Sequence, residues 1–481
     1  MSITLIPVKS TEFVENIKKA LHNPVDLEIE IPAGSSVIVA YLKTLVDNAA
    51  VLNNILKPLG ESSFNSEKST RWDHVLTIIR EKGRLERNEI QDVLQDLVTG
   101  KTVVHLNGNK TVYTYETSEK PNLKQLKDPQ IERNVKGSRM TFSENLDESI
   151  ALVRWGIKDP ELCIDGLEIG RKTKTKVGVL YLNAMVNPQI VSEVHRRLNS
   201  FEIDGILDSG YIGQLISDNR WSLFPLTQST ERPDKVIAGI LEGRVAIIVE
   251  GSPQAILVPV TINELYQSPE DYYFGFWFGS FLRFFRIMGN NLAVALPGLY
   301  IALIGVNQAL LPTKFVLTVA GSRIAVATPL IIELLIMEMI VEIFREASLR
   351  LPTTVSQTLG VTAGIVLGTA AVGAGLASNA TLVVVVLTAI ASYSGPNYSI
   401  GLSWRVLKYL LIFTASLLGV YGLIIAGLVI LAHAAKQSSF GVPYLSPWSP
   451  LNLRGLLDTI FRRPLWIPDR LGIYREQENI R

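Results

Sequence analysis

The sequence predicts a multidomain protein in which two N-terminal cytoplasmic α/β units precede an all-α polytopic membrane domain. The first observation is an abrupt change of composition: residues 287–434 hold ten charged side chains, and residues 351–404 hold none. A membrane helix needs about 20 apolar residues, and this region contains several such runs. The second observation is that strand and helix patterns alternate through residues 1–265, which is typical of α/β domains.

Composition argues against several classes of function. The 481 residues carry a net charge of +1, so no bulk electrostatic attraction to nucleic acid is expected. The single cysteine, Cys163, rules out an intramolecular disulfide and a multi-thiolate zinc site. The five histidines show no ligand spacing, and GxxxxGK[ST], HExxH and GxSxG do not occur. We therefore expect no enzyme, no cofactor and no metal site.

Residues 1–120 form the first predicted unit. The N-terminus turns polar within its first ten residues, which predicts a cytoplasmic location rather than a signal peptide. Apolar spacings of three and four predict helices within 70–100. Asn107-Gly108 between two β-rich runs predicts a hairpin with a type I′ turn, which needs positive φ at both central residues. A polar linker, 121–139, follows.

Residues 140–265 form the second predicted unit. VGVLYLNAMV predicts a buried strand, PQIVSEVHRRLNSF predicts an amphipathic helix, and VAIIVEGSPQAILVPV predicts two strands around a Gly-Ser-Pro turn. The mixed-charge stretch TERPDK, 230–235, has two interpretations. It is a solvated surface or a local ion pair, or else a contact with a neighbouring subunit.

Residues 266–290 are predicted to be an interfacial helix that leads into the membrane. Nine aromatic residues crowd residues 268–289 together with Arg283 and Arg286. Aromatic side chains favour the headgroup layer, and basic side chains favour its cytoplasmic side. The alternative is a core helix of the second unit.

Residues 291–434 form the predicted transmembrane helical domain. Its candidate crossings are about 291–311, 326–345, 357–377, 379–394 and 406–434. On a helix, a charged face of the second crossing is shared by Glu338, Glu342, Arg345 and Glu346, and Glu333 lies opposite.

That charged face is predicted to serve an ion pathway or subunit coupling, because it cannot meet lipid. Arg345 and Glu346 also fit a helix end that emerges into the cytoplasm. Glu333 and Glu338 lie deeper and favour a water-lined cavity or an interhelical bond.

The third candidate crossing carries no charge and has two rows of small or weakly polar residues. Gly360, Gly364 and Gly368 recur at spacing four, and such rows let helices pack closely. Thr358, Thr362 and Thr369 form the other row. Small, weakly polar side chains can line a pore without holding ions too tightly. We therefore assign the glycines to helix packing and the threonines to a pore lining.

The basic residues predict both chain ends on the cytoplasmic side. They cluster at 283–286 and in the C-terminal tail, 435–481, and the stretch SWRVLK is also predicted to be cytoplasmic. Five full crossings would place the tail outside. We expect an even number of crossings, with one short segment of 357–394 re-entrant.

Several stretches together resemble the A subunit of GerA-type spore germination receptors. They are TERPDK followed by LEGRVAIIVEGSP, SPEDYY, FREASLRLP, GPNYSIGLSWRVLKY and SSFGVPYLSPWSP. The resemblance covers about 120–450. It implies a multi-pass protein of the spore inner membrane with its N-terminal units on the core side.

The resemblance also implies partners and a function. The partners are a polytopic B subunit that senses nutrient, a C-type lipoprotein subunit, further copies of the chain, membrane lipid and monovalent cations. The function is a gated monovalent-cation channel that triggers germination. The alternative is a non-conducting scaffold that passes the signal to other germination machinery. The nutrient, the ion selectivity and the subunit number are not encoded in any motif of this chain.

Overall fold

The computed structural model describes residues 5–32, 35–61, 72–81, 83–119, 129, 131–350, 368–464 and 466. Two units that combine a sheet with helices come first, and a helical domain follows. This order of the parts is the one predicted from the sequence.

The first unit is a five-stranded sheet with helices on it. Its strands are β1 (Leu27–Glu30), β2 (Val37–Leu42), β3 (Leu85–Arg87), β4 (Lys101–Leu106) and β5 (Val112–Glu116), in the order β1-β2-β4-β5-β3. Its helices are Ser10–Ala20, Asn48–Ala50 continuing through the π-helical Val51–Leu56 into Lys57–Glu61, Trp72–Ile78 and Ile90–Val98.

The second unit repeats this architecture. Its strands are β6 (Leu162–Ile169), β7 (Thr175–Leu182), β8 (Gln228–Thr230), β9 (Val245–Val249) and β10 (Ala255–Val258), in the order β6-β7-β9-β10-β8. Its helices are Leu146–Gly156, Pro188–Asn199, Ser209–Ile216 and Pro233–Leu241. The same strand order in both units indicates an internal duplication.

The duplication extends to the residues. Residues 37–48 read VIVAYLKTLVDN and residues 177–188 read VGVLYLNAMVNP, with the identical valines, tyrosine and leucine in register. In both stretches the tyrosine hydroxyl donates to a carboxylate of the neighbouring strand: Tyr41 to Glu30 at 2.8 Å and Tyr181 to Asp165 at 3.1 Å. The sequence analysis missed this repeat, because the rest of the two units has diverged.

The strand pairing corrects one detail of the prediction. Every strand pairing among the described residues is antiparallel, and in the pairs β1-β2, β4-β5, β6-β7 and β9-β10 a short connection reverses the chain. The hairpin at Asn107-Gly108 is confirmed, but the loop is 107–111 and only Gly108 in it has a positive φ. The two-residue type I′ turn is therefore wrong.

The two units are joined by a buried ion pair. The Arg154 guanidinium donates to both carboxylate oxygens of Asp26, at 2.6 and 2.8 Å, and both side chains are almost fully buried. Thr44 donates a further hydrogen bond to Asp26 at 2.7 Å. A bidentate pair fixes orientation as well as distance, so the two units are held in one relative arrangement.

The TERPDK stretch is not a solvated surface, because its charges are buried against the end of the linker. Glu231 accepts hydrogen bonds from the backbone N–H groups of Ile131 and Glu132, at 2.7 and 2.9 Å. Lys235 pairs with the Glu132 carboxylate at 2.8 Å. These local ion pairs hold the linker's last residues on the second unit.

The helical domain begins after two short helices, Ile262–Tyr266 and Glu270–Tyr273. Its longer helices are Phe276–Tyr300 with the π-helical Ile301–Val306, Thr313–Ser322, Leu330–Arg350, Asn379–Ser392, Tyr398–Leu418 and Val420–Lys436, and residues 368–373 are also helical. The single-turn helix Gln308–Leu310 lies between the first two. Two short strands, β11 (Ser438–Ser439) and β12 (Val442–Pro443), and the helix Leu453–Leu456 complete the described chain.

Two helix boundaries differ from the sequence expectation. The stretch predicted as an interfacial helix runs without a break into the predicted first crossing as Phe276–Val306, because its two arginines are paired with acids. The stretch 406–434, predicted as one crossing, is split into two helices at Gly419, which has φ +62°. The SWRVLK stretch lies in the first half of the Tyr398–Leu418 helix, and its cytoplasmic location stays a prediction.

The outer surface of the helical domain is apolar. Two helices, Phe276–Val306 and Tyr398–Leu418, are long and apolar enough to span a membrane, and Asn379–Ser392 and Val420–Lys436 are shorter apolar helices. Large apolar side chains on these helices are more than half exposed, among them Val383, Ile390, Phe413, Leu417, Ile424 and Leu428. Soluble monomers rarely expose such a continuous apolar surface.

The segment after the last helix returns to the second unit. Phe440 packs in a core cluster of that unit, and Ser439 bridges it by donating to the Leu226 carbonyl and accepting from the Val260 N–H. The described part of the tail therefore lies at the same end of the helical domain as the second unit.

Candidate functional site

Glu333, the first glutamate of the Leu330–Arg350 helix, is paired with a cation of the preceding segment. Glu333 is fully buried, accepts from the Ser378 backbone N–H at 2.7 Å, and pairs with Arg323 at 3.1 Å. This glutamate therefore fixes the start of the Asn379–Ser392 helix, which Ser378 caps, to the Leu330–Arg350 helix.

Glu338 makes an interhelical ion pair. Its Oε2 atom lies 2.5 Å from Nζ of Lys408 on the Tyr398–Leu418 helix, and both residues are buried. A charge in an apolar bundle is tolerated when a partner of opposite sign is supplied. The sequence predicted either a water-lined cavity or an interhelical bond for Glu338, and the structure shows the interhelical bond.

Glu342 lies among three cations. Its carboxylate is 3.4 Å from Arg345 one turn along the same helix, 3.2 Å from Arg405, and 3.8 Å from Lys408. Arg345 also donates to Ser392 Oγ at 2.9 Å and lies over the Tyr393 ring. We call Glu338, Glu342, Arg345, Arg405 and Lys408 the charged cluster.

Glu346 does not join the charged cluster. It pairs with Arg350 at 2.7 Å, and both side chains are mostly exposed. Glu342 with Arg345 and Glu346 with Arg350 are both pairs within the helix, at spacings of three and four residues. Their surroundings differ, because one is enclosed by other helices and the other lies on the surface.

The charged cluster contains two carboxylates and three cations, so its formal charge is positive. A cavity of about 10 Å³ beside it has room for one water molecule. Glu338, Arg345, Asn290 and Thr388 are among its lining residues. Glu338 Oε1 and Asn290 Nδ2 are buried and have no hydrogen-bond partner within the part of the chain that the structure describes, and a water between this acceptor and this donor would satisfy both atoms.

The predicted pore segment is only partly described. Thr358, Thr362, Gly360 and Gly364 lie outside the described residues. Gly368 is buried, and a Cβ atom there would be 3.5 Å from Leu382 on the next helix.

The neighbouring residue Thr369 is exposed. At these two positions the glycine faces the protein and the threonine faces outward.

The sequence analysis missed Arg405 and Lys408 as part of the site. Their spacing of three places both on one face of a helix, and they are the two charged residues between 351 and 434. Two cations in an otherwise uncharged stretch, matched in number by Glu338 and Glu342, were the signal that could have identified the pairing.

A second charged group connects the short helix Glu270–Tyr273, the first long helix and the tail. Asp271 is fully buried and accepts from Arg283 at 3.0 Å and from Arg286 at 2.8 Å. Arg283 also pairs with Asp458 of the tail at 2.8 Å. The arginines predicted to mark the membrane boundary thus also hold the junction together.

The comparison with known families decides the identity. The model of the family described as Bacillus/Clostridium GerA spore germination protein matches residues 15–471. The chain belongs to the GerA family. The resemblance to the A subunits of germination receptors, predicted from the sequence, is confirmed.

Individual GerA-family relatives match over most of their length. Spore germination protein A1 of Bacillus subtilis is 37% identical over 82% of this chain and 83% of its own. Spore germination protein GerLA of Bacillus cereus is 33% identical over 94% of this chain and 93% of its own.

The membrane protein YfkQ of Bacillus subtilis, 39% identical, covers 72% of this chain. A crystal structure of the N-terminal domain of the A subunit of the Bacillus megaterium germinant receptor GerK3 also matches. It is 27% identical and covers 53% of this chain and 97% of its own, with a TM-score of 0.41.

Proposed function

We propose that this GerA-family chain is a membrane subunit of a spore nutrient germinant receptor, located in the spore inner membrane. The observation that carries this proposal is the apolar outer surface of the helical domain in a chain of a spore germination family. Its α/β units lie on the core side. The return of the tail to the second unit supports an even number of crossings.

The finer proposal is that copies of the chain assemble around a gated path for monovalent cations. The pore is lined by Thr358, Thr362 and Thr369, and the glycine row packs against neighbouring helices. The outward position of Thr369 and the buried position of Gly368 support this choice of face.

The charged cluster serves coupling rather than conduction in this proposal. With three cations facing two carboxylates, it repels a passing cation. Its pairs link the Leu330–Arg350 and Tyr398–Leu418 helices, so movement of one helix is passed to the other. Glu346, which is exposed beside the cluster, is available for contact with another subunit.

The same linkage favours a second candidate, a non-conducting scaffold. Paired charges transmit movement whether or not an ion path exists. In both cases the partners are a B-type nutrient-sensing subunit and a C-type lipoprotein. No catalytic step is assigned to the chain.

Ion flux separates the two candidates. The purified chain, with its partner subunits, is reconstituted in vesicles that report potassium or sodium entry. A channel predicts flux that changes in Thr362→Val while the amount of reconstituted protein stays the same. Gly364→Leu is the matched control, because a larger packing residue is expected to lower the amount of assembled complex. Absence of flux in complexes that still support germination would favour the scaffold.

A further inference from the structure

The loop 217–223 of the second unit is tied to the end of the helical domain at both of its ends. Asn219 donates to Gln437, the residue that follows the last apolar helix, at 3.1 Å. Asp218 accepts from the Phe440 backbone N–H at 2.6 Å. Just after the loop, the Phe224 ring lies 5.4 Å from Trp404 and 5.9 Å from His433. The loop is therefore held beside the end of the last apolar helix, where that helix is proposed to leave the membrane.

Between these ties the loop presents an aromatic and a basic side chain to its surroundings. Trp221 is 92% exposed, and Leu223 is 47% exposed. No ion pair among the described residues involves Arg220, whose guanidinium makes a long 3.4 Å bond to the Leu215 carbonyl. A tryptophan has about 150–250 Å² of surface to bury, so leaving this ring in water is unfavourable.

Other exposed tryptophans lie near the same boundary. Trp277 is 78% exposed at the start of the first long helix, and Trp448 is 44% exposed shortly after the last one. Tryptophan is enriched where a membrane protein meets the headgroup layer. Trp221 extends this set from the helical domain onto the second unit.

We propose that the loop 217–223 inserts into the headgroup layer of an anionic bilayer. Trp221 lies between headgroups and acyl chains, and Arg220 binds a lipid phosphate. The second unit then has its own contact with the membrane besides its covalent link. This inference rests on the membrane location of the proposed function and adds a lipid-binding surface to it.

A second copy of the chain is the competing occupant. A cleft of about 820 Å³ lies beside the loop, lined by Tyr211, Gln214, Arg220 and Ser399 among others. The bilayer is favoured, because the loop is continuous with the apolar surface of the helices and carries the basic and aromatic pair typical of that layer.

The test is a spin label at position 221 of the full-length chain in vesicles containing phosphatidylglycerol. Trp221→Cys is labelled in a Cys163→Ser background. Collision rates with oxygen, which enters lipid, and with a water-soluble nickel chelate are compared. Ile31→Cys, 64% exposed on the first unit, is the water control, and Ile425→Cys, 53% exposed on the last apolar helix, is the lipid control.

The proposal predicts that the oxygen-to-nickel ratio at 221 exceeds that at 31 by at least about threefold and stays below that at 425. Equal ratios at 221 and 31 would overturn it. Protection from both probes, with spin–spin broadening that disappears on dilution with unlabelled chain, would assign the loop to a second copy instead. A water-like ratio at 425 would overturn the membrane location together with this proposal, whereas failure at 221 alone leaves that location standing.

Discussion

At the scale of single residues, the Glu338–Lys408 pair determines how the bundle tolerates its buried charges. Lys408→Met leaves Glu338 without a cation, and removing one partner of a buried pair costs about 3–5 kcal/mol. Glu338→Gln costs less, because Lys408 keeps Glu342 at 3.8 Å. We therefore expect Lys408→Met to lower the thermal unfolding temperature of the detergent-solubilised chain more than Glu338→Gln does.

The double variant and a surface control complete this experiment. Glu338→Gln with Lys408→Met removes both charges, and such replacements are often close to neutral, so it is expected to recover part of the loss. Arg350→Met breaks an exposed pair and is expected to change the free energy of unfolding by less than about 1 kcal/mol. An equal loss in Lys408→Met and Arg350→Met would contradict the assigned role of the pair.

Cys163 is predicted to be an unreactive thiol. It is 1% exposed on β6, and burial raises its pKa to about 11. The thiolate is the reactive form, and a rise of two pKa units lowers its fraction about 100-fold at pH 8. A thiol-specific reagent is expected to modify the native chain far more slowly than the denatured chain. Similar rates in both states would show that this part of the second unit opens readily.

At the scale of elements, Gly419 sets the turn between the last two long helices. Its φ of +62° with ψ of −137° is open to glycine alone, and a Cβ atom there would lie 1.9 Å from Asn307 Oδ1. We expect Gly419→Ala to cost about 2–4 kcal/mol and to reduce the accumulated protein.

Gly427 is the matched control for that substitution. It lies within the Val420–Lys436 helix, and a Cβ atom there meets nothing within 4 Å. Alanine is the better helix former by about 1 kcal/mol, so Gly427→Ala is expected to leave protein level and unfolding temperature unchanged or slightly raised. Loss of protein in both variants would show that the turn is not the cause.

Local patterns predicted most of these elements. The strands around Gly-Ser-Pro and the Asn379–Ser392 helix follow from apolar runs and their spacing. The break at Gly419 could not be predicted from the sequence, because glycine within an apolar run is also typical of a face where helices pack closely. The strand order, with β3 beside β5 and β8 beside β10, is set by contacts between distant residues, which a local pattern does not contain.

The candidate site shows the same limit. The helix pattern identified the face shared by Glu338 and Glu342, but their cations lie on a helix more than 60 residues away in the chain. Pairing between helices depends on how they pack. The buried ion pair between Asp26 and Arg154 could not be predicted from the sequence for the same reason.

At the scale of the whole molecule, the described tail lies beside the second unit, which predicts both on one side of the membrane. Leu457 is 61% exposed in this tail. We use right-side-out vesicles, in which the cytoplasmic face of the membrane is inside. Leu457→Cys in a Cys163→Ser background is expected to react with an impermeant maleimide only after these vesicles are permeabilised. Ile31→Cys on the first unit should behave in the same way, and labelling of Leu457→Cys alone from outside would contradict an even number of crossings.

We propose that this GerA-family chain passes the nutrient signal to cation movement across the spore membrane. The most direct measurement is nutrient-triggered potassium release from spores in which it is the sole A-type receptor subunit. We expect no release without the chain, and an altered release rate in Thr362→Val spores that contain the normal amount of protein. Normal potassium release from spores that lack the chain would contradict it.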